Sequence, residues 1–437
     1  MENEAAERRA ADAAKKPKLT RLKIESFRNV EPCELRFGDG FNVLLGLNAT
    51  GKTTLLELIA AALSFDFSKF KEEAFAVEYD FEFSTGSILA SMRNERMERA
   101  TPEAPILQVR DAERFGLSAK LQIRSTTSAK AWTVCANMSS VWAEDKPDDK
   151  FQFSTQLGER GAQLLYWAAD LTDDVSITSA FYDQLSYWDL ARRFDEALDM
   201  FRSVTSSATG IEAIVLASTS VTAQGFNAAA LLPGELLRAV SSHVMAMPAI
   251  NQGLTISAES FDLLRKVAEL FDFKAAWLEM RLESKTGGGR SGQVLKFSDF
   301  RFMFEGHDGS VIRHDDLSYG QKRLLAFYYY LAASPMTVIA DELVDGLHHL
   351  WIDAAIEAIG DRQAFLASQN PLLLDHLEFD SAEQVASTFI TCRAERIGDD
   401  KRMSWSNLST YDAERFFRAY QVDVQQVSEI LLSKGLW

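Results

Sequence analysis

The segment that most constrains the fold of this chain is GLNATGKT, residues 46–53. It fits the pattern G-x-x-x-x-G-K-[ST] without a mismatch, and it lies between the apolar run FNVLL and a segment with apolar residues at helical spacing. Its glycines let the backbone curl so that successive N–H groups point inward at phosphate oxygens, and the helix that follows adds its positive end. The segment therefore predicts a strand buried on both faces, a phosphate-binding loop, and a helix from about Thr53.

Every position of this loop is a candidate for contact with a nucleotide. The pattern assigns Lys52 to the β- and γ-phosphates and the hydroxyl of Thr53 to Mg²⁺. The predicted nucleotide-binding residues of the loop and the first helical turn are Gly46, Leu47, Asn48, Ala49, Thr50, Gly51, Lys52, Thr53 and Thr54.

A second motif, TVIADE, ends in Asp341 and Glu342. A buried parallel strand delivers its carboxylates at its C-terminal edge, where α/β sheets bind their ligands. Asp341 is expected to hold Mg²⁺, directly or through water, and Glu342 to orient or deprotonate an attacking water. An apolar run ending in Asp-Glu is by itself equally typical of an ordinary helix cap, and the phosphate loop upstream favours the metal and water roles.

Composition narrows the classes of protein and partner. The 437-residue chain is 47% hydrophobic and 25% charged, which is typical of globular proteins. Its net charge of −17 argues against a surface built to bind nucleic acid. DNA is a possible partner, but the charge does not indicate it. The three cysteines lie far apart, which indicates neither a disulfide framework nor a zinc site. No apolar run suits a bilayer span or a secretion signal, so we expect a cytoplasmic protein without a membrane partner.

The segment LSYGQKR, residues 317–323, opens an apolar helix ahead of the Asp-Glu strand. A phosphate loop, an LSxGQ signature, an Asp-Glu strand and a later strand-end polar residue, in this order, resemble the ABC-type ATPase head, and more narrowly the SMC, RecF and OLD group. Compact AAA-family ATPases of this kind are found in bacterial anti-phage defence systems. The resemblance implies an α/β fold with a mixed central sheet, flanking helices, an antiparallel β sub-sheet, and a helical insertion between the two halves of the head. It also implies ATP and Mg²⁺ as cofactors.

The resemblance and the hydrophobic patterns together divide the chain into four segments. We expect a flexible charged arm at 1–18, the N-terminal half of the head with the phosphate loop and β sub-sheet at 19–185, a helical insertion at 186–290, and the C-terminal half at 291–437. The last segment carries the signature, the Asp-Glu strand and C-terminal helices. The insertion lacks a sustained heptad repeat, which excludes a long coiled-coil arm.

Further site residues follow from the resemblance alone. In such heads the signature of one copy covers the γ-phosphate held by a second copy, which gives this role to Ser318, Tyr319, Gly320 and Gln321. Arg28 and Asn29 match a pair that contacts nucleotide, although a solvated turn is an alternative. Gln184 matches the glutamine that binds Mg²⁺ and water, although a helix-start glutamine is nearly as consistent. Asp345 matches the loop that crosses the dimer seam. We interpret His348 and His349 as seam or surface residues rather than metal ligands.

Gln369 stands where many relatives of this group have a histidine. A glutamine keeps one donor and one acceptor but never ionises, so it is suited to hold the γ-phosphate and the attacking water together. The alternative is that it only caps the strand and that the site hydrolyses poorly. With this residue, the predicted catalytic set is Lys52, Glu342 and Gln369.

These observations predict a slow Mg-ATP-dependent ATPase that dimerises with a second copy around ATP, with higher oligomers possible. We expect it to act as a sensor or scaffold for a separately encoded effector, such as a nuclease, in anti-phage defence. Proteins of the OLD group often carry a metal-dependent nuclease domain of the Toprim type after the head. The residues after Leu377 contain no clear Glu followed by Asp-x-Asp, so the resemblance implies no nuclease activity of its own. The alternatives are a RecF-like ATP-dependent DNA-repair protein and a non-hydrolysing structural scaffold.

Overall fold

The computed structural model describes residues 17–97, 115–126, 128–137, 140–148, 150–152, 164, 168, 171–172, 174, 177, 193–205, 210–215, 221–225, 232–246, 253–287, 292–334, 336–398, 400–422 and 425–436. It divides the chain into two compact units, Met1–Ala191 with Arg362–Trp437, and Arg192–Asp361. Within the described residues, no helix is long and apolar enough to cross a membrane.

The first part of the chain contains one helix and nine strands among its described residues: β1 Lys18–Phe27, β2 Cys33–Arg36, β3 Phe41–Leu45, α1 Lys52–Ser64, β4 Phe75–Phe83, β5 Gly86–Arg96, β6 Phe115–Ser125, β7 Ala131–Asn137, β8 Ser140–Ala143 and β9 Phe151–Gln152. The later elements are α2 Phe194–Thr205, β10 Gly210–Val215, β11 Val221–Gly225, α3 Gly234–Ala246, β12 Gly253–Ser257, α4 Asp262–Leu270, β13 Ala275–Gly287, β14 Gln293–Glu305, β15 Val311–Arg313, α5 Tyr319–Ala333, β16 Thr337–Asp341, α6 His349–Ile359, β17 Gln363–Ala367, α7 Pro371–Asp375, α8 Ala382–Thr388, β18 Phe389–Ile397, β19 Asp400–Asn407, α9 Thr410–Tyr420 and α10 Val427–Ser433.

The first unit contains a long antiparallel sheet with the strand order β2-β1-β4-β5-β6-β7-β8-β9. This is the antiparallel β sub-sheet that the resemblance implies. In β4, buried Val77, Tyr79 and Phe81 alternate with more exposed residues. One face of the strand therefore packs into the core, as the period of two predicts.

The same unit holds the sheet that leads into the phosphate loop. β3 lies between β17 and β18 and is parallel to both, and β19 pairs antiparallel with β18. Residues 42–45 of β3 are buried, which matches the continuous apolar run FNVLL. Val43 and Leu45 pack in a core cluster with Phe389 and with Phe416 of α9. The aromatic C-terminal segment therefore contributes to this core.

The second unit contains another antiparallel sheet, with the order β11-β10-β14-β13-β12 and with β15 against β14. The residue before α2, Arg193, forms an isolated parallel bridge with Ile339 of β16. At the ring of Phe194, α2 also packs edge-to-face on Phe327 of α5, with centroids 5.3 Å apart. These contacts join the start of α2 to both α5 and β16.

The expectation of a helical insertion at 186–290 needs correction. Among its described residues, helices α2, α3 and α4 alternate with strands β10 to β13. The sequence AAWLEMRLES lies within the segment 186–290 that was expected to be helical, but α4 ends at Leu270 and β13 follows. In β13, Ala276, Leu278 and Met280 are buried at every second position, which is the strand period. The second unit also extends to Asp361, so it includes the signature and the Asp-Glu strand.

Candidate functional site

The phosphate loop links β3 to α1, as the sequence predicts. Three of its residues have positive φ: Gly46 at 151°, Ala49 at 62° and Gly51 at 87°. A Cβ atom at Gly46 would lie 2.2 Å from the carbonyl oxygen of Cys392, so only glycine fits there. α1 then begins at Lys52, and its first-turn N–H groups have no acceptor within the helix.

The ammonium group of Lys52 lies over the loop. Its Nζ donates to the carbonyl oxygens of Gly46 and Leu47, at 2.7 and 3.1 Å, and the residue is buried. The hydroxyl of Thr50 also donates to the Leu47 carbonyl, at 2.8 Å. The cation is therefore held at the loop by oxygens that an incoming phosphate would replace as acceptors. Thr53 follows in the first turn of α1 and is exposed.

Strand β19 supports the outer side of this loop. Lys401 donates from Nζ to the carbonyl oxygen of Ala49, and Trp405 donates from Nε1 to that of Thr50 at 3.1 Å. Between them, Met403 packs under Gly51, where an added Cβ would lie 2.6 Å from its Sδ. The sequence interpretation missed these β19 residues. The alternation in KRMSWSN places residues 401, 403 and 405 on one face, but it does not indicate which loop this face contacts.

Asn29 joins the loop region, whereas the side chain of Arg28 is engaged elsewhere. Asn29 donates from Nδ2 to the Lys401 carbonyl at 2.5 Å, and its own carbonyl accepts from the Met403 N–H at 2.9 Å. Arg28 binds both carboxylate oxygens of Glu73, at 2.6 and 2.7 Å, and lies over the ring of Phe27. The hydrogen bond from Arg28 holds the pKa of Glu73 below its usual value.

Gln369 lies beside the phosphate loop. Its Nε2 donates to Oδ1 of Asn48 at 2.5 Å. The cap of the following helix is a different residue, because the side chain of Asn370 accepts from the N–H of Leu372 at 3.0 Å, and Pro371 occupies the first turn of α7. Asn370, and not Gln369, therefore caps α7, while the choice between a catalytic role and a strand cap for Gln369 stays a prediction.

The signature forms the N-terminus of α5 in the second unit. Ser318 and Gln321 make a reciprocal capping box, with bonds of 3.3 and 3.0 Å. Tyr319 is 62% exposed. Its ring lies against Gly346, where a Cβ would be 2.6 Å from Tyr319 Cε1, and a Cβ on Gly320 would be 3.0 Å from the Gly346 carbonyl oxygen. The signature thus packs closely on the loop that follows Asp345.

The Asp-Glu pair stands at the end of β16, as predicted. Asp341 is the last strand residue, and Glu342 has a left-handed backbone with φ 50°. Arg323 of α5 donates from Nη2 to the Glu342 carbonyl and from Nε to the Leu343 carbonyl at 3.3 Å. Its guanidinium lies 5.4 Å from the ring centroid of Phe194. The sequence interpretation did not assign a role to Arg323, although it lies within the quoted segment LSYGQKR.

Of the predicted metal ligands, the structure describes Thr53 and Asp341. Gln184 is outside the described residues. Within the described ranges, no group of three or more His, Cys, Asp or Glu side chains is placed to hold a metal. The rings of His348 and His349 have centroids 4.1 Å apart, and both residues are exposed. The hydroxyl of Thr53 and the carboxylate of Asp341 are oxygen donors of the kind that Mg²⁺ prefers.

Comparison with known proteins gives matches of three kinds. The AAA domain family matches residues 21–157. The DNA replication and repair protein RecF of Vibrio cholerae serotype O1 is 51% identical over 41 residues, 9% of this chain and 11% of RecF. RecF of Shewanella pealeana is 54% identical over 41 residues, 9% of this chain and 11% of that protein. The matched segment thus spans about a ninth of the length of these relatives.

The solved structures that the chain matches include an SMC head bound to the C-winged helix domain of ScpA, with 13% identity, 89% of this chain and 98% of that chain covered, and a TM-score of 0.39. The SMC head domain from Thermotoga maritima has 10% identity, 88% and 98% coverage, and a TM-score of 0.32. The family match, the RecF segment and the ordered motifs agree. Over these matched parts, residues 21–157 for the family and 41 residues for RecF, the chain is similar to an ABC-type ATPase head of the SMC and RecF group.

Each of the two units gathers part of the predicted site. The first unit brings together the phosphate loop, Gln369 and Asn29. The second unit brings together the signature, the loop at Asp345 and the backbone of Glu342. In both units, the contacts that sequence interpretation missed include side-chain donors to backbone carbonyls, from Lys401 and Trp405 in the first unit and from Arg323 in the second.

Proposed function

We propose that this chain is a cytoplasmic ATPase that binds Mg-ATP, dimerises around it, and hydrolyses it slowly. The observation that carries the proposal is the buried Lys52, whose Nζ lies 2.7 Å from the Gly46 carbonyl in a loop with left-handed backbone at Ala49 and Gly51. A cation held by neutral carbonyls at a helix N-terminus is suited to bind a polyphosphate.

Each residue of the head has a defined task in this proposal. Lys52 and the loop N–H groups bind the β- and γ-phosphates, while Thr53 and Asp341 would hold Mg²⁺, which neutralises charge on the phosphate oxygens when bound. Glu342 accepts a proton from the attacking water. Gln369 donates from its amide to the γ-phosphate or the water after leaving Asn48. Phosphoryl transfer requires mainly positioning and charge stabilisation, which these groups supply.

The proposed partner in the ATP-bound state is a second copy of the chain. Leu47 of the phosphate loop and Tyr319 of the signature are 76% and 62% exposed, so both side chains are accessible to a partner. Ser318 and Gly320 lie at a helix N-terminus, where N–H groups are suited to an anion. If the signature of one copy covers the nucleotide of the other, Asp345 in the adjoining loop would lie at the seam. ATP binding and association would then be coupled.

We further propose that the ATP-bound dimer controls a separately encoded effector, such as a nuclease, in bacterial anti-phage defence. The net charge of −17 favours a protein partner over a nucleic acid. The competing proposal is RecF-like binding of duplex DNA, and the segment 51% identical to RecF favours it.

The central experiment compares the wild-type protein with Glu342→Gln. Loss of the proton acceptor should lower ATP turnover by about 10²–10⁴-fold, while ATP binding persists and the dimer accumulates in mass measurements. Glu378→Gln is the matched control, because Glu378 is exposed and lies outside the proposed site. Equal turnover in wild type and Glu342→Gln would overturn the proposed mechanism, and no turnover in either would favour an inert scaffold.

A second experiment separates the two candidate roles. Duplex binding that appears only with ATP and weakens steeply with salt would favour the RecF-like role. Effector control instead predicts that a protein encoded beside this gene binds the purified ATPase and changes activity when ATP is added. Glu342→Gln, which binds ATP but hydrolyses it slowly, should keep the partner's activity changed for longer after ATP is added.

A further inference from the structure

We propose that β19 positions the phosphate loop, and that Lys401 and Trp405 are positioning residues for nucleotide binding. The proposal rests on the ATP-binding function argued above. Lys401 and Trp405 donate to two consecutive loop carbonyls, those of Ala49 and Thr50. These donors lie 352 and 355 residues away from their acceptors in sequence.

The geometry of the peptide unit gives these bonds their consequence. In a trans peptide, the C=O of one residue and the N–H of the next point in opposite directions. Fixing the carbonyl of Ala49 therefore fixes the N–H of Thr50, and fixing the carbonyl of Thr50 fixes the N–H of Gly51. Both carbonyls are held on the β19 side, so both N–H groups point away from β19, as a phosphate cradle requires.

The three β19 residues act as one face of a strand. Lys401, Met403 and Trp405 stand at every second position and therefore project to the same side. Met403 closes the gap under Gly51 between the two donors. Ala49 has φ 62°, a conformation that alanine rarely adopts, so the loop needs contacts that specify it.

The sheet fixes the distance between the loop and its supporting strand. β3, which enters the loop, pairs with β18 through Leu45 and Thr391. β18 in turn pairs with β19, with Cys392 opposite Trp405. The loop and its donors are thus attached to the same ladder, two strands apart. This arrangement holds the N–H groups in place before the nucleotide arrives, which lowers the entropy cost of binding.

The test measures nucleotide affinity by calorimetry in the full chain, for ATP and for tripolyphosphate, which lacks the nucleoside. Lys401→Met should raise the Kd for both ligands about tenfold, and Trp405→Phe about fivefold, because each removes one donor to the loop. Lys401→Arg keeps a donor and should recover most of the affinity. Arg402→Met is the matched control, since Arg402 is exposed on the opposite face of the same strand and carries the same charge.

The outcomes separate the inference from the function on which it rests. Wild-type protein that binds neither ligand would refute the proposed ATP binding. Wild-type binding with unchanged affinity in Lys401→Met and Trp405→Phe would overturn the role of β19 alone. A loss for ATP but not for tripolyphosphate would assign Lys401 to the nucleoside and overturn positioning. An equal loss in Arg402→Met would reduce the effect to bulk charge. Melting temperatures of all variants identify any that fail to fold.

Discussion

Two loops of this molecule, the phosphate loop in the first unit and the exit of β16 in the second, meet the same physical requirement in different ways. Each contains a non-glycine residue with left-handed backbone, Ala49 at φ 62° and Glu342 at φ 50°. In each, a cationic side chain donates to a backbone carbonyl at that residue, Lys401 for Ala49 and Arg323 for Glu342.

The difference lies in where the unusual conformation falls. In the phosphate loop, glycines take two of the three positive φ angles, and the third falls on an alanine without a reacting group. At the exit of β16, the left-handed residue is the proposed proton acceptor itself. A left-handed non-glycine costs about 1–3 kcal/mol, and a hydrogen bond to a charged donor contributes about 1.5–3 kcal/mol. The donated hydrogen bond can therefore offset the cost of the left-handed residue in each loop. Because only Glu342 carries a reacting group, we expect nucleotide binding to depend mainly on the backbone shape of the phosphate loop, and catalysis on the side chain of Arg323.

The largest expected effect breaks the backbone shape of the phosphate loop. Gly46→Ala would place a Cβ 2.2 Å from the Cys392 carbonyl oxygen, which the sheet cannot relieve without moving β18. We expect ATP affinity to fall by at least about 100-fold, or about 2.7 kcal/mol. Gly40→Ala is the control, because a Cβ there meets nothing within 4 Å. An unchanged ATP Kd for Gly46→Ala in calorimetry would show that the loop shape is not required.

The next effect tests the other side of the comparison. Arg323→Met removes the donors to Glu342 and Leu343 while keeping a side chain of similar length. We expect kcat to fall about 10–100-fold with KM changed less than about threefold, since small displacements of a reacting group have costs of this size. Arg323→Lys should recover part of the rate. Arg265→Met, an exposed arginine on α4 with local ion pairs, is the control. A rise in KM with unchanged kcat would mean that Arg323 serves binding instead.

A smaller effect concerns Gln369, which is attached to the phosphate loop through Asn48. Gln369→Ala should slow turnover about tenfold while ATP affinity is kept, because one neutral donor to the phosphate or water is lost. The pH profile of the wild type should contain no ionisation from this position, since an amide does not titrate. Asn370→Ala is the contrasting variant, and it should lower stability by about 1 kcal/mol through its cap without changing kcat. Wild-type turnover in Gln369→Ala would leave the amide only a structural contact.

The residues that sequence analysis found and those it missed differ in how far apart their partners lie. The phosphate loop, the signature and the Asp-Glu strand end are contiguous motifs, and their local backbone follows from their own residues. Lys401 and Trp405 act on residues more than 350 positions earlier, and only the sheet order β3-β18-β19 brings them together. Arg323 lies 19 positions from its acceptor, but nothing in an arginine on a helix indicates which carbonyl it binds.

The segment AAWLEMRLES was misinterpreted for a different reason. Its apolar residues fit both periods, because Ala276 and Met280 are four positions apart while Leu278 lies midway between them. Periodicity alone does not separate a helix from a strand in so short a run. Pairing with β14 and β12 decides for a strand. Tertiary contacts therefore determined both this element and the donors of the two loops.

The smallest predicted effect concerns the ion pair of Arg28 and Glu73. The resemblance assigns Arg28 to nucleotide contact, but here its side chain binds Glu73. Both side chains are about one-third exposed, so the pair should contribute less than about 1 kcal/mol to stability. Glu73→Gln removes the negative charge that pairs with Arg28. If Arg28 contacts the nucleotide, the Kd for ATP should fall about two- to threefold. Arg28→Met should weaken it to a similar degree.

The pH dependence of stability provides an independent check on the ion pair of Arg28 and Glu73. The hydrogen bond from Arg28 lowers the pKa of Glu73 in the folded protein. Its contribution to stability is therefore present above the ordinary carboxyl pKa and is lost as pH falls through the lowered value. Glu73→Gln should remove that part of the pH dependence in urea unfolding. If ATP affinity in Glu73→Gln equals that of the wild type while Arg28→Met also binds normally, Arg28 is a structural residue, and nucleotide contact beside the phosphate loop falls to Asn29.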